Sequence, residues 1–182
     1  AKGGTITRIV GNDSGVNDFD IAGDKIVYAL TETKNPWEVY SASVKDGAKT
    51  PRQLTKLNEE WLRERTIVTP KEFIVERPDG MKVQYWVMEP VGRKEGVKYP
   101  TILNIHGGPS AMWGPGETSM WHEFQFWTSK GYGVVYCNPR GSGGYGYDFL
   151  RANVNDWGKG PMSDVMTALN KAVALGWADT SK

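Results

Sequence analysis

Along the first third of the chain, apolar and polar positions alternate in short runs. Thr5 to Val10, Asn17 to Ile21, Lys25 to Thr31 and Trp37 to Val44 are rich in β-branched and aromatic residues, and Gly23-Asp24, Asn35-Pro36 and Asp46-Gly47 fall between them. Residues that suit a pleated, half-buried surface, separated by turn formers, predict four strands in a meander. A lone four-stranded sheet leaves apolar surface uncovered, so the pattern fits about one blade of a β-propeller better than a free-standing domain.

The charged stretch Glu59 to Arg65, EEWLRER, interrupts this pattern as a solvated connector, and a domain boundary is placed near Thr66. Beyond it, Lys71 to Glu76 and Met81 to Glu89 predict a hairpin across Pro78-Asp79-Gly80. Its second strand puts Met81, Val83, Tyr85 and Val87 on one face and Lys82, Gln84, Trp86 and Met88 on the other, as expected of an edge strand. The apolar run Ile102, Leu103, Ile105 then stops at His106-Gly107-Gly108-Pro109. A buried strand that opens into a glycine turn exposes backbone N–H groups where chemistry can use them.

From there the period lengthens to about 3.6. A helix is expected from Met120 to Lys130, with Ser119 as N-cap, Met120, Phe124 and Trp127 on one face, and Gly131 at its end. The strand GVVYC, Gly133 to Cys137, follows, and then a glycine-rich loop. A last helix has Pro161 in its first turn, an apolar stripe of Met162, Val165, Met166, Leu169 and Val173, and Gly176 at its end. Strand, helix, strand, helix implies parallel strands joined by crossovers, the α/β class.

Composition narrows the field. The chain has 182 residues, 39% hydrophobic and 24% charged, with 22 Lys and Arg against 21 Asp and Glu, so it is globular and near neutral. No overall field draws it to nucleic acid or an anionic membrane. Its single cysteine, Cys137, excludes an internal disulfide and favours the cytoplasm. No apolar run approaches the roughly 20 residues of a membrane span. The chain starts at Ala1 and stops after a helix, where a parallel sheet would continue into another strand, so it reads as a truncated piece.

Two chemistries compete for the glycines. Gly141-Ser142-Gly143-Gly144-Tyr145-Gly146 satisfies the dinucleotide-binding pattern after a strand, which keeps a nucleotide-dependent oxidoreductase as an alternative. Pro139-Arg140 intervene, however, and YDFLRANVND makes a poor phosphate-binding helix. The turn at Gly107-Gly108 suits one donor side of an oxyanion hole for acyl transfer. No serine stands in G-x-S-x-G: Ser142 follows Arg140 by two places, and Ser14 follows Asn12. His106 is a candidate base or turn holder, His122 a packing residue on a helix, and Cys137 a buried thiol. No Cys or His spacing makes a metal site, and no cofactor is expected. A non-catalytic binding module is the third reading.

Together, His106-Gly107-Gly108-Pro109 with Met112-Trp113-Gly114, Asn138 to Gly146, Asn155-Asp156-Trp157-Gly158 and Asp164-Val165-Met166 resemble the prolyl oligopeptidase family of serine peptidases, above all its acylaminoacyl peptidase branch. The resemblance covers essentially the whole chain. It implies that residues 1–65 are the C-terminal end of a β-propeller and residues 66–182 the N-terminal half of an α/β-hydrolase domain. It also implies a peptide substrate, a nucleophile elbow on the strand expected after Lys182, and a triad absent from this chain. By residue it assigns Gly108, Gly107 and His106 to the oxyanion-hole turn, and Trp113 and Arg140 to the edge of the substrate cleft. Arg140 is expected mainly to pair with Asp156 or Asp164. The chain by itself is then expected to be inactive and to need the remaining part of the hydrolase domain as its partner.

Overall fold

A computed structural model describes residues 4, 6–11, 14–46, 49–108, 110–116 and 119–181. Thr5, Gly47, Pro109, Thr118 and Lys182, which carry parts of the expectations above, lie outside the described residues. The chain divides into two compact units, Ala1–Ile67 with Pro115–Ser119, and Val68–Gly114 with Met120–Lys182.

In the first unit, strands β1 (Gly15–Ala22), β2 (Lys25–Glu32), β3 (Asn35–Ser43) and β4 (Arg52–Gln53) form an antiparallel sheet in sequence order. Gly23-Asp24 makes a two-residue hairpin turn with Gly23 at φ 60°, the left-handed conformation such turns require. The Asp24 carboxylate accepts from Ser43 Oγ and the Lys45 N–H, which holds it below the ordinary carboxylate range. Three details differ from expectation. Residues 6–10 form no strand, and the fourth strand is Arg52–Gln53, which pairs with Tyr40 and Ser41. Asn35-Pro36 begins β3 instead of turning before it, because the turn is Thr33-Lys34. Ile26, Tyr28, Leu30 and Ala42 form the core on one face, with Tyr28 stacked on Tyr40.

Glu38 is buried in this unit, with 1% of its surface exposed. Burial pushes its carboxyl up, but Thr55 Oγ1 and backbone N–H groups of Leu57 and Asn58 bind the charged form and hold it below its ordinary range. These bonds tie the exposed connector helix α1 (Glu59–Arg63) back to β3.

In the second unit, β5 (Lys71–Glu76), β6 (Lys82–Met88), β7 (Thr101–Asn104) and β8 (Gly133–Asn138) form a sheet in the order β5-β6-β8-β7. Strands β7 and β8 are parallel, joined through helix α2 (Trp121–Ser129), while β6 pairs antiparallel with β5 on one side and β8 on the other. The sheet is thus mixed. β6 is not an edge strand, since β8 inserts beside it and buries Trp86 and Met88 on its second face. β8 is buried along its whole length.

The pleat then sorts the core into two clusters. Val83, Tyr85, Val87, Val135 and Cys137 meet Val165, Ala168 and Ala172 of the last helix, α4 (Lys159–Val173). On the other face Trp86, Met88, Val134 and Tyr136 meet Phe124 of α2. The buried stripe of α4 differs from the expected one, for Met162 and Met166 face outward and two alanines bring the helix close to the sheet. Met120, not Ser119, stands at the N-cap of α2. Asp156 caps α4, which starts at Lys159, by accepting from the N–H groups of Gly158, Lys159 and Gly160. A five-residue helix α3 (Tyr147–Arg151) lies in the preceding loop.

After α4 the chain turns back beside the sheet. The Tyr99 N–H donates to Trp177 O and the Asp179 N–H to Tyr99 O, both at 2.8 Å, a parallel bridge just ahead of β7. The Trp177 ring lies close against Gly133, and a Cβ there would collide with it. Gly133→Ala is therefore expected to cost about 1–3 kcal/mol by overpacking. Urea unfolding of the chain checks it, and an unchanged midpoint would contradict the contact.

Candidate functional site

The carboxyl ends of the parallel pair β7 and β8 are where an open α/β sheet places a ligand crevice. Here they border a cleft of about 640 Å³, lined by Ile105, His106, Gly107 and Gly108 after β7, Pro139 to Ser142 after β8, and Trp157, Met162 and Val165 from around α4. Three of the expected oxyanion residues thus line one cavity.

The turn is shaped by close approach, not by glycine torsions. Neither Gly107 nor Gly108 has a positive φ, and the left-handed residue is Ser110 at φ 61°. A Cβ on Gly108 would sit 2.8 Å from Ser110 N, so glycine is required there by space. Gly143 meets Ser110 O in the same way, and its N–H donates to Ala111 O at 3.2 Å. Gly107 and Gly108 are exposed, and among the described residues their N–H groups have no hydrogen-bond partner. Two free donors at the mouth of an apolar cleft are able to bind a developing oxyanion.

His106 is held by both ring nitrogens. Nδ1 lies 2.8 Å from Gly107 O, Nε2 lies 2.9 Å from Asn138 Oδ1, and the ring tilts against Trp113 at 5.1 Å. Ser142 Oγ is 3.4 Å from Nε2 and donates to Pro139 O at 2.7 Å. Both nitrogens face oxygens, so a neutral ring donates to one of them at a time, and the Ser142 hydroxyl proton is already spent on Pro139 O. His106 is therefore a holder of the turn and Ser142 is not an activated nucleophile.

Arg140 lines the cleft with its charge fully committed. Its Nε and Nη2 grip Asp164 at 2.8 and 2.9 Å, and Nη1 meets Asp79 at 2.9 Å. Asp164 has no exposed surface, takes the Arg140 N–H at 3.0 Å, and is met by Arg77 Nε at 3.1 Å. Arg77 also donates to Ser163 and Thr167 on α4. The pairing with Asp164 raises the Arg140 pKa, and the Met81 N–H and Arg140 lower that of Asp79. Of the two carboxylates expected for Arg140, Asp164 is the partner and Asp156 is the helix cap. Trp113 stands outside the cleft lining: its ring packs edge-on against Phe124 and Tyr136 on the α2 face.

The remaining candidates fall away on geometry. The Gly141–Gly146 loop spends its first three N–H groups on protein, Gly141 on Phe149 O, Ser142 on Pro139 O and Gly143 on Ala111 O, and leads into a helix of only five residues. That is no phosphate cradle. His122 is exposed beside Phe126, not packed in a core. Sequence reasoning missed Asn138, Tyr145 and Arg77; the only signal was a polar residue closing the apolar run of β8. Among the described residues no group of His, Cys, Asp and Glu is placed to hold a metal, and no helix is long and apolar enough to cross a membrane.

Residues 118–182 match the sequence model of the prolyl oligopeptidase family. The chain is 39% identical over 160 residues to an uncharacterized peptidase, YuxL, of Bacillus subtilis, covering 87% of this chain and 23% of that protein. Its fold is similar to an acylaminoacyl peptidase solved in complex with Z-Gly-Gly-Phe-chloromethyl ketone, with a TM-score of 0.84, 30% identity, and coverage of 94% of this chain and 26% of the other. The acylaminoacyl peptidase of Pyrococcus horikoshii gives a TM-score of 0.83 at 31% identity, covering 93% of this chain and 26% of the other. The chain thus spans about a quarter of the length of the relatives it matches.

Two measurements probe this architecture. Asp164→Ala leaves two guanidinium groups without their buried partner and is expected to cost about 3–5 kcal/mol in urea unfolding; a loss below 1 kcal/mol would show the network to be idle. Burial and, secondarily, Asp164 push the Cys137 thiol up to about 12. The neutral thiol is the folded form, so its contribution is complete below the ordinary thiol range and fades as pH rises toward about 12. At pH 8 a disulfide reagent should label folded Cys137 at least about 100-fold more slowly than the urea-unfolded chain, and equal rates would refute the burial.

Proposed function

We propose that this chain, which belongs to the prolyl oligopeptidase family, contributes the oxyanion-binding turn of a serine peptidase that cleaves short peptides through an acyl-enzyme. The observation that carries this reading is the pair of exposed, unengaged N–H groups of Gly107 and Gly108 at the cleft mouth, after the parallel pair β7 and β8. In the whole protein a serine attacks the peptide carbonyl with a histidine as base and an aspartate orienting it. The carbonyl oxygen gains negative charge in that step, and the Gly108 N–H, with Gly107 beside it, stabilises the charge. Arg140, paired with Asp164 and Asp79, keeps the opposite loop in place. His106 fixes the turn.

The triad belongs to sequence beyond Lys182, on an apolar strand followed by G-x-S-x-G. Residues 66–182 are then the first part of an α/β-hydrolase domain, and residues 1–65 the end of a β-propeller. Supporting the second assignment, Phe19 and Ile21 of β1 sit opposite Tyr28 and Ile26, on the apolar face of the sheet, yet are 61% and 50% exposed. A neighbouring blade would cover them. The partners are a peptide substrate and the rest of the hydrolase domain, and the single buried thiol suits a cytoplasmic protein.

The test compares the whole protein with residues 1–182. The whole protein should hydrolyse an aminoacyl chromogenic amide and take up one fluorophosphonate, while the chain alone takes up none. Stoichiometric labelling of the chain alone, or an inert whole protein, would overturn the reading. Replacing the Gly108 amide by an ester, which deletes the N–H without adding a side chain, should lower kcat about 10²- to 10³-fold.

A further inference from the structure

In the wall between the cleft and the α2 face, the side-chain amide of Asn138 has no exposed surface. It closes β8 and lies opposite Gln84 of β6 in the antiparallel register. All of its hydrogen bonds leave the sheet for the site or its supports. Oδ1 accepts from the Trp113 N–H at 2.9 Å, and Nδ2 donates to Trp113 O at 2.6 Å. Nδ2 also donates to the Tyr145 hydroxyl at 2.6 Å, whose own proton goes to Gln84 Oε1 at 2.5 Å. Oδ1 also lies 2.9 Å from His106 Nε2.

We propose that Asn138 is the positioning residue of the His106–Trp113 turn: one buried amide carries the rigidity of the central strand into both ends of the turn that presents the Gly107 and Gly108 N–H groups. The inference rests on the reading of that turn as an oxyanion-binding element.

The orientation of the amide is forced. Trp113 offers both an N–H and a C=O, so flipping the group would set like against like at both. Gln84 draws the Tyr145 proton away and leaves the phenolic oxygen free to accept from Nδ2. The group left facing His106 Nε2 is then Oδ1. Each buried partner left unmatched would carry its full desolvation penalty. The turn has few other anchors among the described residues, the main one being the Gly143 N–H on Ala111 O. A reacting geometry has to be held within about 0.5 Å by its supporting shell, and β8, buried on both faces and paired on both edges, is the most rigid base available for it.

The experiment uses Asn138→Leu, which removes the amide, and Asn138→Asp, which keeps the acceptor for the Trp113 N–H but sets a second oxygen against Trp113 O. In residues 1–182, hydrogen exchange at the Trp113 amide should rise about 100-fold in Asn138→Leu by local opening and about 10-fold or more in Asn138→Asp, with the Val135 amide of β8 unchanged in both. In the whole protein, kcat should fall in both variants at unchanged KM. If Trp113 and Val135 exchange faster together, or neither changes, the proposal is overturned, because Asn138 is then a general stability element or inert. Should Asn138→Leu not fold, Tyr145→Phe, which removes the acceptor of Nδ2, must still raise Trp113 exchange about 10-fold with Val135 unchanged, and a Trp113 amide at the parent rate overturns the proposal. A whole protein without peptidase activity defeats the functional reading alone, since the exchange data decide the positioning role separately.

Discussion

Asp164 is a carboxylate with no exposed surface in the first turns of α4, and taking such a charge from water costs several kcal/mol unless its lone pairs are filled. They are filled by Arg140 through its side chain and its own N–H, and by Arg77. Arg140 in turn reaches Asp79 in the tip of the β5–β6 hairpin. Hairpin, glycine loop and last helix are thereby fastened at one point. The loop that borders the cleft inherits its position from this pairing, and the Arg140 charge is already matched by two carboxylates.

The turn opposite is held by different physics. Trp113 packs into the aromatic cluster of Phe124 and Tyr136, stacked rings with centroids 4.5 Å apart, and the His106 ring leans on Trp113. Apolar packing therefore sets the depth of the turn, while the Asn138 amide sets its orientation. The α4 side of the sheet does without large rings at the helix, relying on Val165, Ala168 and Ala172. This asymmetry leaves open volume on the α4 side, where Met162 and Trp157 line the cleft with much of their surface exposed.

Local signals were legible in the sequence and pairings were not. The hairpin across Pro78 to Gly80, the apolar runs of β7 and β8, the two long helices and the glycine turn all declare themselves within a window of ten residues. The insertion of β8 between β6 and β7 does not, since it depends on contacts some fifty residues apart in the chain, and it turned an apparent edge strand into an interior one. The two-residue β4 is too short to show any period. Met162 and Met166 read as core because their spacing is helical, yet the sheet approached the alanine side. At the site, Gly107, Gly108 and His106 were legible from the strand-to-glycine transition. Asn138 was hidden because its importance comes from three partners, His106, Trp113 and Tyr145, the first two far from it in the sequence.

The strand order also governs how the molecule is made. During synthesis β5 and β6 emerge as a ready hairpin, and β7 follows, but β6 and β7 are not neighbours in the final sheet. They wait for β8, some fifty residues behind β6, which on a ribosome adding about 5–20 residues per second arrives a few seconds later. Until then β6 exposes an edge carrying Trp86 and Met88, and the long-range closure makes this the slow step of assembly. A nascent chain of this kind is at its most vulnerable between Met88 and Asn138, the interval in which a holding chaperone has something apolar to grasp.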